Sequence, residues 1–185
     1  MRVVVFGATG KTGELAWKLL LEAGHDVTVF GRSVERRYAN EPVARLQGNV
    51  LDADAVSKAV EARDAVLVCL GPSSTNDQTT LSQGTANIAS AMQAHGIRRV
   101  VFISAAGVGE SWKQIPWYSK LLFGTILKKI LAEHAREEEI FAASSLDWTA
   151  VRAAVSTCRI PALTRRSHVP ILPHSSSQSL SVRTA

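Results

Sequence analysis

The chain has 185 residues, 46% of them hydrophobic and 20% charged, which predicts one well-buried globular domain. No apolar run approaches the roughly 18 residues of a membrane-spanning helix, and the short N-terminal run ends in glycines instead of a signal-peptide cleavage site; neither membrane nor export role is expected. The net charge of +5 suggests nucleic acid, but residues 1–150 are neutral and the whole excess comes from Arg152, Arg159, Arg165, Arg166 and Arg183, so no nucleic-acid partner is expected of the domain.

Along the chain, strand-like and helix-like segments alternate. "RVVVFGA" is a β-branched run, and a helical pattern follows through "ELAWKLLLEAG", stopping at Gly24. "DVTVFGR" predicts a second strand, then an irregular stretch containing arginines, then a third strand in "VARLQGNV". "DADAVSKAVEA" opens with aspartates suited to a helix N-terminus. "DAVLVCLG" is continuously apolar, as expected of a strand covered on both faces. A helix from about Thr79 to His95 stops at Gly96, "RRVVFISAAG" forms a fifth strand, a helix-rich stretch runs from about Trp117 to Ala143, and "DWTAVRA" is a sixth strand. The alternation predicts an α/β fold: right-handed βαβ units building a doubly wound parallel sheet, the Rossmann fold, over residues 1–152.

Past Arg152 the composition changes. Residues 153–185 hold no acidic side chain, show no clear period and are rich in Ser, Arg and Pro; they predict an irregular or disordered basic tail. So sudden a break fits a true tail or a sequence outside its proper reading frame. The two cysteines, Cys69 and Cys158, make no disulfide framework. Cys69 sits in an apolar run as a small hydrophobe, and a reducing cytoplasm is the expected setting. No metal site is expected.

The glycines after the first strand are the strongest functional signal. A Walker A loop needs a glycine five residues before the Gly of Gly-Lys-Thr; counting back from Gly10 gives Val5, so "GKT" is no ATPase loop. Gly7, Gly10 and Gly13 instead form G-x-x-G-x-x-G between a strand and a helix. That spacing suits a tight turn, a close approach to a diphosphate and close helix–strand packing. Exposed amides and the positive helix end would hold the diphosphate, with hydroxyls from Thr9 and Thr12. NAD sites place Asp or Glu at the end of the second strand. Here the residues are Gly31, Arg32 and Ser33, with Arg36 and Arg37 behind, so NADP is expected ahead of NAD.

These residues carry a resemblance. "VVVFGATGKTG", "VTVFGRS", "GNVLDADAV", "DAVLVCLG", "GTANIASAMQAHGIRRVVFISAAGV" and "AEHAREEEIFAASSLDWTAVRA" follow one another as in the atypical short-chain dehydrogenases that bind NAD(P)H. That group includes NmrA-like proteins and, closest, biliverdin-IXβ reductase/flavin reductase and its bacterial NADH-flavin-reductase-like relatives. The resemblance spans residues 1 to about 152. It implies that Gly7, Thr9, Gly10, Lys11, Thr12 and Gly13 surround the pyrophosphate and that Arg32, Ser33 and Arg36 meet the 2′-phosphate. It further implies that Asn49 (often Asp in the family) and Val50 flank the adenine, and that Leu70 and Gly71 lie under the cofactor. Ser104 would face the nicotinamide and substrate, and His134 would border the substrate pocket.

The Y-x-x-x-K dyad of conventional short-chain dehydrogenases is missing: Tyr118 is followed by Lys120 and Leu122, which places Tyr118 and Lys120 on different helix faces. The implied chemistry is therefore looser, with NADPH positioned beside a planar small-molecule acceptor of flavin, quinone or tetrapyrrole type. Ser104 would orient that acceptor, or cap a strand end. His134 reads as a catalytic residue or as a solvated helix histidine, and "REEE", Arg136 to Glu139, as a solvated face. Relatives continue their sixth strand with Arg-Pro, whereas this chain reads "VRAAVSTCRIP", so the substrate wall is altered. Two functions remain open: an NADPH-dependent reductase, or an NmrA-like dinucleotide-binding sensor without turnover.

Overall fold

A computed structural model describes residues 1–71, 79–105, 124–153 and 181–184. Tyr118, Lys120 and Cys158, and most of the tail, lie outside the described residues. Strand β1 (Arg2–Phe6) leads into α1 (Lys11–Glu22), β2 (Asp26–Gly31), the one-turn α2 (Val34–Arg37) and β3 (Ala44–Gln47). Then follow α3 (Ala53–Val60), β4 (Ala65–Val68), α4 (Thr80–Ala94) and β5 (Arg99–Ala105), with α5 (Gly124–Ala143), β6 (Asp147–Ala153) and β7 (Ser181–Thr184) closing the order.

The strands lie in the order β3-β2-β1-β4-β5-β6-β7. The first six are parallel, with Val4 opposite both Thr28 and Val66, and Ser104 opposite Arg152. The chain is a single Rossmann domain, as the alternation predicted. Because the order reverses between β1 and β4, the loops after these strands open a crevice at the carboxyl edge of the sheet.

Each face of the sheet carries its own apolar core. Val4, Phe6, Val66, Val68 and Phe102 pack under α3, α4 and α5; Val3, Val5, Val27 and Val29 pack with Trp17 of α1 and Val34 of α2. Valines dominate because β1, β2 and β4 are covered on both sides, where β-branched side chains suit the pleat. Phe102 of β5 stacks on Phe141 of α5, ring centroids 4.7 Å apart, which fixes that helix against the strand bearing Ser104. Asp52 caps α3, its carboxylate accepting from the N–H groups of Asp54 and Ala55 at 3.0 and 3.2 Å, as its place in the sequence predicted.

Two segments differ from expectation. The arginine-containing stretch after β2 is not wholly irregular: buried Val34 anchors it, and Arg45 on β3 pairs with Glu35 at 3.1 Å, so one helical turn forms. In the predicted tail, Ser181–Thr184 is a strand, antiparallel to β6. Val182 and Thr184 favour a strand, and β6 offers an edge whose backbone groups need partners.

Candidate functional site

The site is built at the carboxyl edge, beginning where β1 ends. Gly7 has φ +75°, and a Cβ there would lie 2.3 Å from the Cys69 carbonyl oxygen behind it. Gly13, in the first turn of α1, would put a Cβ 2.3 Å from the Gly7 carbonyl oxygen. These two glycines let strand, loop and helix meet backbone to backbone. At Gly10 the nearest atom to a Cβ is the Gly7 oxygen at 3.4 Å, and Gly10 is exposed, so this side of the loop is open.

The open side is rich in amides without acceptors among the described residues. The Glu14 N–H bonds the Gly10 carbonyl at 2.8 Å, so the first helical hydrogen bond starts there. The N–H groups of Lys11, Thr12 and Gly13 precede it and have no partner four residues back. An α-helix end of this kind attracts anions. The residues present therefore fit a dinucleotide diphosphate.

At the end of β2, Arg32 and Arg36 are exposed and take no ion-pair partner among the described residues, whereas Arg37 is held by Glu14 at 2.9 Å and Arg45 by Glu35. Ser33 precedes α2. Two of the four cations around this turn are thus committed within the protein, and Arg32 and Arg36 are exposed after β2, the strand next to β1. Asn49 is exposed, its side chain accepting from the Leu51 N–H at 3.2 Å. Val50 turns its side chain into the core, where a Cβ on Gly84 would come within 2.8 Å of it, and its carbonyl accepts from Asn87 at 3.0 Å. Leu70 packs against the core and Gly71 is exposed, both directly after β4.

Ser104 and His134 lie at the same edge, on β5 and α5. Ser104 is buried and does not cap backbone: its hydroxyl donates to Glu138 Oε1 at 2.7 Å. Glu138 is gripped in turn by the Arg152 guanidinium, with Nε 3.0 Å from Oε1 and Nη2 on Oε2. His134, one helical turn nearer the carboxyl edge, is buried and not solvated; its Nδ1 lies 3.0 Å from Oε2 of Glu137. Glu137 is fully buried, and its Oε1 has no hydrogen-bond partner among the described residues.

The "REEE" run is accordingly not a solvated face. Four consecutive residues span more than a full turn, so Glu137 points into the core and Glu138 toward β5 and β6, leaving Arg136 and Glu139 outside. Burial pushes the Glu137 carboxyl up to about 7, against the opposing hydrogen bond and charge of His134. Burial, aided by Glu137, pushes the Cys69 thiol up to about 12. Sequence reasoning missed Glu137, Glu138 and Arg152. A shallow cavity of ≈ 420 Å³ opens at the opposite, amino edge, by Met92, Ile97, Arg98 and Leu146; it has neither a strand carboxyl end nor a free helix N-terminus.

Known proteins resemble this chain in sequence and in fold. An uncharacterized protein of Mycobacterium tuberculosis is 28% identical over 155 residues, covering 84% of this chain but 15% of its own length. The 2-alkyl-3-oxoalkanoate reductase of Stenotrophomonas maltophilia is 32% identical over 114 residues, 58% of this chain and 34% of that protein. The chain thus spans between 15% and 34% of the length of these curated relatives. Among solved structures, ChuY, an anaerobilin reductase of Escherichia coli O157:H7, superposes with TM-score 0.68 at 23% identity, covering 82% of this chain and 72% of that one. A short-chain dehydrogenase/reductase of Veillonella parvula in complex with NADP gives TM-score 0.68 at 22% identity, over 82% and 68% of the chains. At such identities the likeness is one of fold. No helix among the described residues is long and apolar enough to cross a membrane. The NAD(P)H-binding family model matches residues 7–166, beyond the strand that ends near residue 152, and this chain belongs to that NAD(P)H-binding family.

Proposed function

We propose that the chain is an NADPH-dependent reductase of a planar, conjugated small molecule of flavin, quinone or tetrapyrrole type. One observation carries the reading: a dinucleotide cradle and a buried histidine–carboxyl pair lie at the same edge of one sheet. The glycine loop and the start of α1 hold the diphosphate, and Arg32, Ser33 and Arg36 take the 2′-phosphate. Asn49 and the Val50 backbone border the adenine, while Leu70 and Gly71 support the cofactor after β4. NADPH supplies a hydride when bound.

The acceptor stands between Ser104 and His134. The hydrogen of Ser104 is committed to Glu138, so Ser104 fixes the wall of the pocket and orients the acceptor; it is no acid. His134 is the group able to pass a proton, and Glu137 beside it stores one, since its carboxyl titrates near neutrality. The anaerobilin reductase sharing this fold supports a tetrapyrrole among the candidate acceptors.

The committed Ser104 hydroxyl also favours a second reading, an NmrA-like sensor that binds dinucleotide without turnover. Steady-state NADPH oxidation with FMN, dichlorophenolindophenol and biliverdin, beside a fluorescence titration of NADPH, separates the two. Turnover of any acceptor supports the reductase. Tight NADPH binding with none of the three reduced selects the sensor.

A further inference from the structure

The hydroxyl of Tyr38 donates to the carbonyl oxygen of Ala8 at 2.8 Å, and both residues are buried. Ala8 and Thr9 are the central residues of the Gly7–Gly10 turn, closed by the Gly10 N–H on the Gly7 carbonyl at 3.1 Å. The peptide between the two central residues is the one whose orientation separates type I from type II turns. A trans peptide is planar, with C=O and N–H pointing opposite ways. Since the Ala8 oxygen is held inward by Tyr38, the Thr9 N–H faces the open side of the loop, and it has no acceptor among the described residues.

Tyr38 is itself clamped. Its ring meets Trp17 edge-on, centroids 5.1 Å apart; its N–H bonds the Val34 carbonyl at 2.9 Å, and its own carbonyl accepts from Arg45 at 2.9 Å. Glu14 Oε2 lies 3.3 Å from the hydroxyl. A phenol has one hydrogen to give, and the shorter contact to Ala8 takes it.

We propose that Tyr38 is a positioning residue for the dinucleotide: its hydroxyl holds the Ala8–Thr9 peptide so that the Thr9 N–H stays aimed at the diphosphate. The inference rests on the glycine loop as the dinucleotide cradle. It predicts that Tyr38 acts on every ligand carrying the diphosphate and on none lacking it.

The test is a fluorescence titration of wild type and Tyr38→Phe with NADPH and NADH, and displacement of NADPH by adenosine 2′-monophosphate. Tyr38→Phe keeps the ring in place, and its urea midpoint checks the fold. The expected result is a rise in both dinucleotide Kd values by one common factor, about tenfold for one lost hydrogen bond, with affinity for the monophosphate unchanged. Unchanged NADPH affinity in a folded Tyr38→Phe protein overturns the inference, as does an equal loss for the monophosphate, which marks general loosening. If wild type binds neither dinucleotide, the cradle reading fails and the inference falls with it, a result visible before any variant is made.

Discussion

Glu137→Gln is the substitution whose consequence follows most directly from burial. The carboxyl is fully enclosed, with His134 at 3.0 Å as partner, Glu133 and Glu138 on the same helix and Cys69 directly after β4. Its folded-state pKa is raised to about 7 from the ordinary 4.5, first by burial. The folded protein therefore holds a proton that the unfolded chain has lost, over the window from pH 4.5 to 7. Stability from this group is fully present below that window and falls as pH rises through it. At about 1.4 kcal/mol per pH unit the total is about 3 kcal/mol, an order-of-magnitude figure. Glutamine fills the same volume and cannot ionise, so the variant keeps what wild type loses. Urea denaturation of both proteins at intervals from pH 4.5 to 8 measures this. Titration of groups outside the Glu137–His134 pair is common to the two and cancels, so the difference reports that pair. The expected result is a gap between the curves that widens in favour of the variant up to pH 7 and then stays constant. Parallel curves would falsify the claim that Glu137 is buried and neutral at low pH.

Arg32→Ala and Arg36→Ala each weaken NADPH binding by about tenfold to a hundredfold, the range for a hydrogen bond to a charged group, and leave NADH unchanged; equal loss for both cofactors in a titration refutes the 2′-phosphate assignment. Gly13→Ala sets a methyl 2.3 Å from the Gly7 carbonyl oxygen, so the loop must move. It costs about 1–3 kcal/mol in urea unfolding and lowers affinity for both dinucleotides, and wild-type values in either assay contradict the backbone contact. Cys69, with its thiol raised to about 12 from 9.0, reacts with iodoacetamide at pH 8 roughly a thousandfold slower than an unperturbed thiol, because the thiolate is the nucleophile. Mass spectrometry in a Cys158→Ser background reads this, and rapid labelling of the folded protein refutes it.

Much of the sheet was legible because its signals are local. The runs of β1 and β4 are apolar at consecutive positions since both faces are covered, and Asp52 announces α3 by the side chain that caps it. The glycine spacing was readable for the same reason: at Gly7 and Gly13 backbone meets backbone, and no other residue fits. Val50 was less legible. Its number places it after β3, but the core under Gly84 decides that its side chain turns inward.

The acidic run on α5 shows why Glu137, Glu138 and their partner Arg152 escaped. A stretch of Arg and three Glu on a helix ordinarily faces water, and its composition says nothing of the neighbouring strands. Which of these side chains is buried depends on the rotation of α5, set by Phe141 stacking on Phe102 and by Arg152 reaching Glu138 from β6. That contact also fixes the state of Ser104: once Arg152 holds Glu138, the carboxylate is a ready acceptor and takes the serine hydrogen at 2.7 Å. With α5 so turned, Glu137 falls inside, His134 is its hydrogen-bond partner, and the pair lies toward the edge of the sheet where the glycine loop opens. The cradle depends on what a glycine permits within a few residues. The acid pair depends on contacts between residues far apart in the chain, and those appear only when the sheet is assembled.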